Sequence, residues 1–340
     1  MTRVNAFATA SGNGSWPGSS ARAAAEIVVG ELASALAHLV ELPARGVGAD
    51  MIGRSGALLI DIAIDTVPRG YRIAARPGAV ARRAASLLDE DTDALEEAWE
   101  KAGLRGGEHV VKVQAAGPIT LAAELELANG HRAITDLGAL RDVTASLAEG
   151  VEAHRAMLSR RLETPVVVQL DEPLLPAALV GQLSGVTALS PVHPVDEMDA
   201  LTLLDRCATT VGAEVLLHCC APEIPWNLLR RSAIDAVSVN VATLQPVDLD
   251  GMAAFIESGR TVALGLLPAA TPSRPPALEE VADALTAVID RLGFARTALR
   301  DRIGITPGCG LAAATPRWAR TAIGLARRVA EAFADDPDAI

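Results

Sequence analysis

The residues best suited to bind a metal ion stand in LLHCC, at the end of the stretch AEVLLHCC (213–220). His218 and Cys220 are two positions apart, so in a β-strand their side chains would lie on one face, with Cys219 on the other. A third candidate ligand, Cys309, stands between glycines in TPGCG. A His/Cys/Cys set suits zinc with an open fourth position. The alternative is that these small side chains simply pack as hydrophobic residues.

Two further stretches could contribute polar groups to a ligand site. Asp171 and Glu172 precede Pro173 at the end of the apolar run VVVQL, where buried carboxylates need partners. They could recognise a substrate ammonium group, or they could form a salt bridge or begin a helix. Ser15 lies in SGNGSWPG, whose glycines would let backbone amides approach a ligand. A plain structural turn is the alternative there.

Short apolar runs that alternate with helical stretches must position these residues. Eight candidate strands are 4–10, 37–43, 109–118, 165–173, 213–220, 236–242, 261–268 and 302–310. Nearly continuous apolar strands separated by helices indicate βαβ units and a parallel sheet. We therefore predict a single (β/α)8 TIM barrel over residues 1–340, with function at the strand ends. A doubly wound open sheet is the alternative. The stretch 57–78 predicts a β-hairpin inserted after the second strand.

Composition excludes several classes of protein. The formal net charge of −12 argues against nucleic acid as a partner, since phosphate binding needs a basic surface. No apolar run approaches the roughly 18 residues of a membrane span. Four cysteines, two of them adjacent, do not resemble a disulfide framework. These features predict a reduced, cytoplasmic protein that acts on a small molecule.

The motifs GSWP, GPIT, DEP, HCC and PGCGL, in this order and spacing, resemble the C-terminal catalytic domain of cobalamin-independent methionine synthase. The resemblance extends over roughly 4–330 and implies a barrel of the uroporphyrinogen decarboxylase and methionine synthase type. It also implies an S-methyltransferase of methionine biosynthesis, in which zinc binds the homocysteine thiol and methyltetrahydropteroyltriglutamate or a corrinoid protein supplies the methyl group. The zinc ligands that it implies are His218, Cys220 and Cys309, and the implied substrate-binding residues are Ser15, Asp171 and Glu172. Water or the substrate thiol would complete the zinc coordination.

Several positions depart from the family pattern. Asn240 stands where the family has a glutamate as fourth zinc ligand, and 269–271 replace the Asp-x-His-Ser-Pro segment whose histidine assists methyl transfer. Only Asp50 remains of an acidic loop that grips the substrate amine. Trp16 and Trp226 are the main candidates for stacking on a pterin. The departures leave two alternatives, a methylcorrinoid-dependent thiol methyltransferase and a non-catalytic homologue that binds a small thiol. No residue is assigned a catalytic role.

Overall fold

The computed structural model describes residues 5–185 and 191–338. Its strands are β1 (Ala37–His38), β2 (Ala63–Val67), β3 (Gly70–Ala74), β4 (Val111–Ala116), β5 (Leu125–Glu126), β6 (Val166–Asp171), β7 (Val215–Cys219), β8 (Ala236–Asn240), β9 (Thr261–Leu267) and β10 (Ile303–Pro307). Its α-helices are α1 (Ala21–Leu32), α2 (Met51–Leu58), α3 (Ala79–Lys101), α4 (Pro118–Glu124), α5 (Leu137–Leu162), α6 (Leu175–Leu179), α7 (Glu197–Thr210), α8 (Trp226–Arg231), α9 (Asp248–Glu257), α10 (Leu278–Leu292), α11 (Ala298–Asp301) and α12 (Pro316–Asp335). Short 3₁₀ turns cover Pro43–Arg45, Ala133–Thr135 and Val241–Thr243.

Seven parallel strands form the central sheet, in the order β1-β4-β6-β7-β8-β9-β10. β4 and β6 are paired over their full length, and every residue of both is buried. Strands buried on both faces are mostly apolar, and the exceptions in these two are Lys112, Gln114, Gln169 and Asp171. Helices lie between successive strands and cover the outside of the sheet. The prediction of an α/β TIM-barrel fold is confirmed, and the doubly wound open sheet is not observed.

The first strand of the barrel is much shorter than predicted. Residues 5–9 of the expected strand 4–10 are not a strand, and residue 4 lies outside the described residues. Instead, Ala10 pairs with Ile305 and Ser11 pairs with Leu36, both in parallel. These two bridges join the two edges of the seven-stranded sheet and close the ring. Apolar composition predicted a strand here, but among residues 5–11 only Ala10 and Ser11 form bridges, each to one of the two edges of the sheet.

The predicted hairpin within 57–78 is present. β2 and β3 pair in antiparallel register from Ala63 with Ala74 to Val67 with Gly70, and β3 also pairs in parallel with β5. Gly70 has φ of 134°, a conformation open to glycine and strained for other residues. The hairpin follows α2, so it is an insertion after the second barrel strand. Within the described part of the chain, no helix is both long and apolar enough to cross a membrane.

Candidate active site

The three predicted metal ligands come together at the carboxyl ends of two barrel strands. His218 lies in β7 and is 4% exposed, while Cys220 follows β7 and Cys309 follows β10. One ligand atom from each lies within 4.8 Å of the other two. The two cysteine sulfurs are 3.2 Å apart. Alternation along β7 places Cys219 on the opposite face, where it is fully buried in the hydrophobic core.

The imidazole of His218 is held at one nitrogen and open at the other. Its Nδ1 lies 3.1 Å from the Ser238 Oγ, and the two residues are direct partners in the register of β7 and β8. Its Nε2 is buried and has no hydrogen-bond partner. An unpaired buried nitrogen is costly unless a ligand satisfies it. One nitrogen and two sulfurs are ligands that zinc prefers, so these residues fit a zinc ion.

The two sulfurs perturb each other electrostatically. The close contact between the Cys220 and Cys309 sulfurs lowers the pKa of Cys309, and the neighbouring His218 acts in the same direction. The same thiol contact, together with burial, raises the pKa of Cys220. Cys309 is therefore the better thiolate of the pair. A thiolate is the form of cysteine that binds metal ions.

Glycines bring the first turn against the end of β10. A Cβ atom on Gly310 would collide with the Ser15 Oγ, so only glycine permits this approach. The Leu311 amide also donates to the Ser15 carbonyl at 2.8 Å. Ser15 therefore lies beside the strand end that carries Cys309.

Asp171 is the last residue of β6, at the carboxyl-terminal end of the barrel that also carries the candidate metal ligands. It is 5% exposed, and its Oδ1 accepts a hydrogen bond from the Gln169 Nε2 at 2.7 Å. Burial raises the pKa of Asp171 well above its ordinary value, and the charges of Glu41 and Cys309 add to this effect. Asp171 is the register partner of His218 in the pairing of β6 with β7, so the carboxylate lies beside the candidate metal site.

Glu41 belongs to the site and was missed by the sequence analysis. It is 5% exposed, pairs with Ser15 through a parallel bridge, and accepts a hydrogen bond from the Trp16 amide at its carbonyl. Burial raises the pKa of Glu41, and Arg54 opposes that shift. A carboxylate directly after the buried run AHLV was the available signal, and it is the same signal that pointed to Asp171.

Glu172 is placed away from the metal ligands. Its carboxylate accepts hydrogen bonds from the Ile119 amide at 2.9 Å, the Thr120 amide at 2.8 Å and the Thr120 hydroxyl at 2.7 Å. The charge of Glu172 raises the pKa of Cys207 and of Cys219, whose side chains lie outside the ring of strands. Asp171 and Glu172 therefore divide between the two faces of β6, as consecutive strand residues do.

The positions that depart from the family pattern have mainly structural contacts. The Asn240 Oδ1 accepts a hydrogen bond from the Ala242 amide at 3.1 Å, and its side chain lies against Gly308. Asp50 caps the start of α2 and accepts a hydrogen bond from Tyr71. The two tryptophans considered for stacking are buried, with exposures of 2% and 5%. Neither presents an open ring face at the surface.

The chain is thus an α/β barrel in which a His/Cys/Cys group that could hold a metal ion lies at the carboxyl ends of the strands. The family model described as cobalamin-independent synthase, catalytic domain, matches residues 7–332. The chain therefore belongs to the family of cobalamin-independent methionine synthase catalytic domains. No curated protein matches this chain.

A solved structure supports the same fold. A B12-independent methionine synthase from Shewanella sp. W3-18-1, in complex with selenomethionine, is 14% identical and has a TM-score of 0.61. The match covers 98% of this chain and 100% of that one. A GH113 β-1,4-mannanase is 13% identical, covers 97% and 99% of the two chains, and has a TM-score of 0.41. At this level of identity the first of these supports the barrel fold alone.

Proposed function

We propose that this protein is a zinc-dependent S-methyltransferase that methylates the thiol of homocysteine, or of a closely similar amino thiol, to give methionine or its analogue. The observation that carries the proposal is the convergence of His218, Cys220 and Cys309 at the barrel mouth that also holds Asp171. The whole described barrel would act as one catalytic unit. Free thiols at the site suit a reducing compartment such as the cytoplasm.

The metal half of the site would bind the sulfur of the substrate. The chemistry that zinc supplies when bound is deprotonation of a coordinated thiol, which makes a nucleophile at neutral pH. His218, Cys220 and Cys309 would hold the ion, which leaves a fourth position for water or for the substrate sulfur. Asn240 supplies an amide where a carboxylate would add negative charge. The sulfur would therefore receive less electron density and be a weaker nucleophile than with a fourth anionic ligand.

The acidic half of the site would bind the amino acid part of the substrate. Asp171 and Glu41 are both buried, and the charge of Glu41 raises the cost of ionising Asp171. A substrate ammonium placed between them would relieve that repulsion. Ser15 is adjacent to Glu41 through their bridge and would contact the substrate carboxylate. Glu172 contributes by holding the end of β6 in place.

A methylcorrinoid protein is the second candidate for the methyl donor. Trp16 and Trp226 were the main aromatic side chains that could stack on a pterin, and both are buried. The indole nitrogen of Trp226 donates to Asp248, and its ring packs against Phe255. A donor delivered by another protein would not need a stacking platform on this chain. A homologue that binds a thiol without methyl transfer is the remaining alternative.

Metal analysis followed by a methyl-transfer assay tests the proposal. We expect the purified protein to retain zinc, and Cys220→Ser and Cys309→Ser to lose it while keeping the fold. Cys219→Ala is the matched control, because this neighbouring cysteine points to the core and should not affect zinc. The zinc-loaded protein is then supplied with homocysteine and a methylfolate, a methylcorrinoid or a simple methyl donor.

The outcomes separate the alternatives. Methionine formed from the corrinoid and not from the folate identifies the donor as protein-borne. Homocysteine binding without product from any donor contradicts methyl transfer and supports a binding protein. Zinc retained by Cys220→Ser and Cys309→Ser would overturn the metal site itself.

A further inference from the structure

A lysine is buried at the centre of the barrel, close to the candidate site. Lys112 lies in β4 and is 1% exposed. Its Nζ donates to the Gly12 carbonyl at 2.5 Å and to the Gln169 Oε1 at 2.6 Å. Removing an ammonium group from water is expensive unless it is well paired. The interior at this level is polar, since Gln169, Asp171 and Glu41 are also buried there, so this lysine belongs to a polar network rather than to the apolar core.

Gln169 connects this lysine to the acidic half of the site. Gln169 is fully buried in β6, and its Nε2 donates to the Asp171 Oδ1 at 2.7 Å and to the Asn13 carbonyl at 3.1 Å. An ammonium group can only donate hydrogen bonds, so the oxygen of the Gln169 amide must face Lys112. The NH₂ group must then face the two acceptors. Lys112 therefore fixes which end of the amide Asp171 meets.

The lysine also holds the turn that carries Ser15. Gly12 and Asn13 precede this serine in the first turn. The Gly12 carbonyl accepts a hydrogen bond from Lys112, and the Asn13 carbonyl accepts one from Gln169. We call Lys112 and Gln169 together the relay. Asn13 in turn donates through Nδ2 to the Pro307 carbonyl at 2.8 Å, next to the end of β10. The buried Lys112 amino group thus joins the first turn to β6, close to the strand ends that would surround the substrate's amino acid group.

We infer that Lys112 is a positioning residue that acts through Gln169 to orient Asp171 and so sets the preference for thiols that carry an ammonium group. This inference rests on the proposed function, because it assigns the substrate ammonium to Asp171. Distance decides whether Lys112 strengthens or weakens the binding of a substrate ammonium group. One amide separates Lys112 from Asp171, and the Asp171 carboxylate would stand between Lys112 and a bound substrate ammonium. Its support of Asp171 therefore outweighs its repulsion of the substrate ammonium.

The test compares two thiols that differ only in the amino group. Binding of homocysteine and of 4-mercaptobutanoate to the zinc-loaded protein is measured by calorimetry for the wild type, Lys112→Met and Gln169→Met. We expect the wild type to prefer homocysteine, and each variant to lose about tenfold of that preference, the scale of one hydrogen bond to a charged group. The affinity for 4-mercaptobutanoate should change little, whereas a general structural defect would weaken both thiols.

A double-mutant cycle tests whether Lys112 acts through Asp171. In an Asp171→Asn background, Lys112→Met should have no further effect on the preference, because the relay ends at that carboxylate. Additive effects would overturn the inference. If Lys112→Met does not fold, Gln169→Met carries the test, since it breaks the relay and keeps the charge. A wild type with no preference for homocysteine overturns both the ammonium role of Asp171 and this inference. A preference that both variants keep overturns the inference alone.

Discussion

Ser238 decides how the candidate metal-binding histidine presents its free nitrogen. It is fully buried, and its Oγ lies 3.1 Å from the His218 Nδ1. A neutral histidine that binds a metal through Nε2 carries its proton on Nδ1, so this hydroxyl would accept that hydrogen bond. The hydrogen bond fixes both the tautomer and the plane of the ring. The metal site therefore depends on a residue that contacts no metal.

Replacement of Ser238 by alanine should weaken zinc binding without unfolding the protein. The imidazole would lose its orienting partner, and loss of such a contact lowers metal affinity by about 10- to 100-fold. Competition with a chromophoric chelator measures the affinity directly, in the absence of any thiol. Ser238→Thr is the control, because it keeps a hydroxyl on a β-branched residue that suits a strand. Equal affinities in Ser238→Ala and the wild type would contradict the role.

The sequence predicts some of these residues and not others. His218 and Cys220 follow from the period of a strand, and Cys309 was found because glycines flank it at another strand end. Ser238 was not found, because it stands within an apolar run and acquires its role from the register between β7 and β8. That register is a tertiary contact, and no local pattern in AVSVNVA encodes it.

Glu172 joins two elements of the barrel wall. Three hydrogen bonds from Ile119 and Thr120 tie its carboxylate to the first turn of α4. Burial nevertheless raises the pKa of Glu172 to about 7, because desolvation outweighs these hydrogen bonds. β6 therefore ends in a fixed position, and Asp171 is held there with it.

Glu172 should make the stability of the protein depend on pH. Its folded pKa is above its ordinary value of 4.5, so its contribution is complete below that value and is lost as pH rises through about 7. We expect a decrease in the free energy of unfolding of up to about 1.4 kcal/mol per pH unit within that interval. Denaturant titrations at several pH values measure the slope.

The variant Glu172→Gln isolates this contribution, since it cannot titrate. The difference in free energy of unfolding between the wild type and Glu172→Gln should narrow from about pH 5 to about pH 8. Glu149→Gln removes an exposed glutamate of α5 and serves as the control. A difference that stays constant across this range would contradict the raised pKa.

The elements themselves were predicted well where burial is complete. β4 and β6 to β10 fall within the predicted strands, because parallel strands covered on both faces are mostly apolar. The prediction was less accurate at the second strand, where 37–43 shortens to Ala37–His38. Beyond His38 the chain leaves regular pairing and carries Glu41 to the site. Apolar composition cannot distinguish a paired strand from an extended buried segment.

The barrel is closed along one weak line, which we call the seam and define by Ala10 and Ser11 with their partners Ile305 and Leu36. Only a few backbone hydrogen bonds cross it, including Ser11 to Ile305 at 3.1 Å and Leu36 to Ala10 at 3.0 Å. By contrast, six residue pairs join β4 and β6. The ring is therefore least strongly bonded at this line.

Hydrogen exchange should detect the seam. We expect amides of Ser11 and Leu36 to exchange about tenfold faster or more than those of β4 and β6, since local opening breaks few hydrogen bonds there. Mass spectrometry of peptic peptides covering 8–14 and 111–116 compares the two regions. Equal protection in both peptides would show that the ring opens only as a whole.

The seam has a consequence for proteolysis. The segment that closes the ring continues, within a few residues, into the turn that carries Ser15. A protease that cuts between residues 5 and 12 would open the barrel and release that side of the site in one event. A nicked molecule would then not persist as a folded protein with slightly weaker substrate binding. Intact closure and a complete binding site would be present together or lost together.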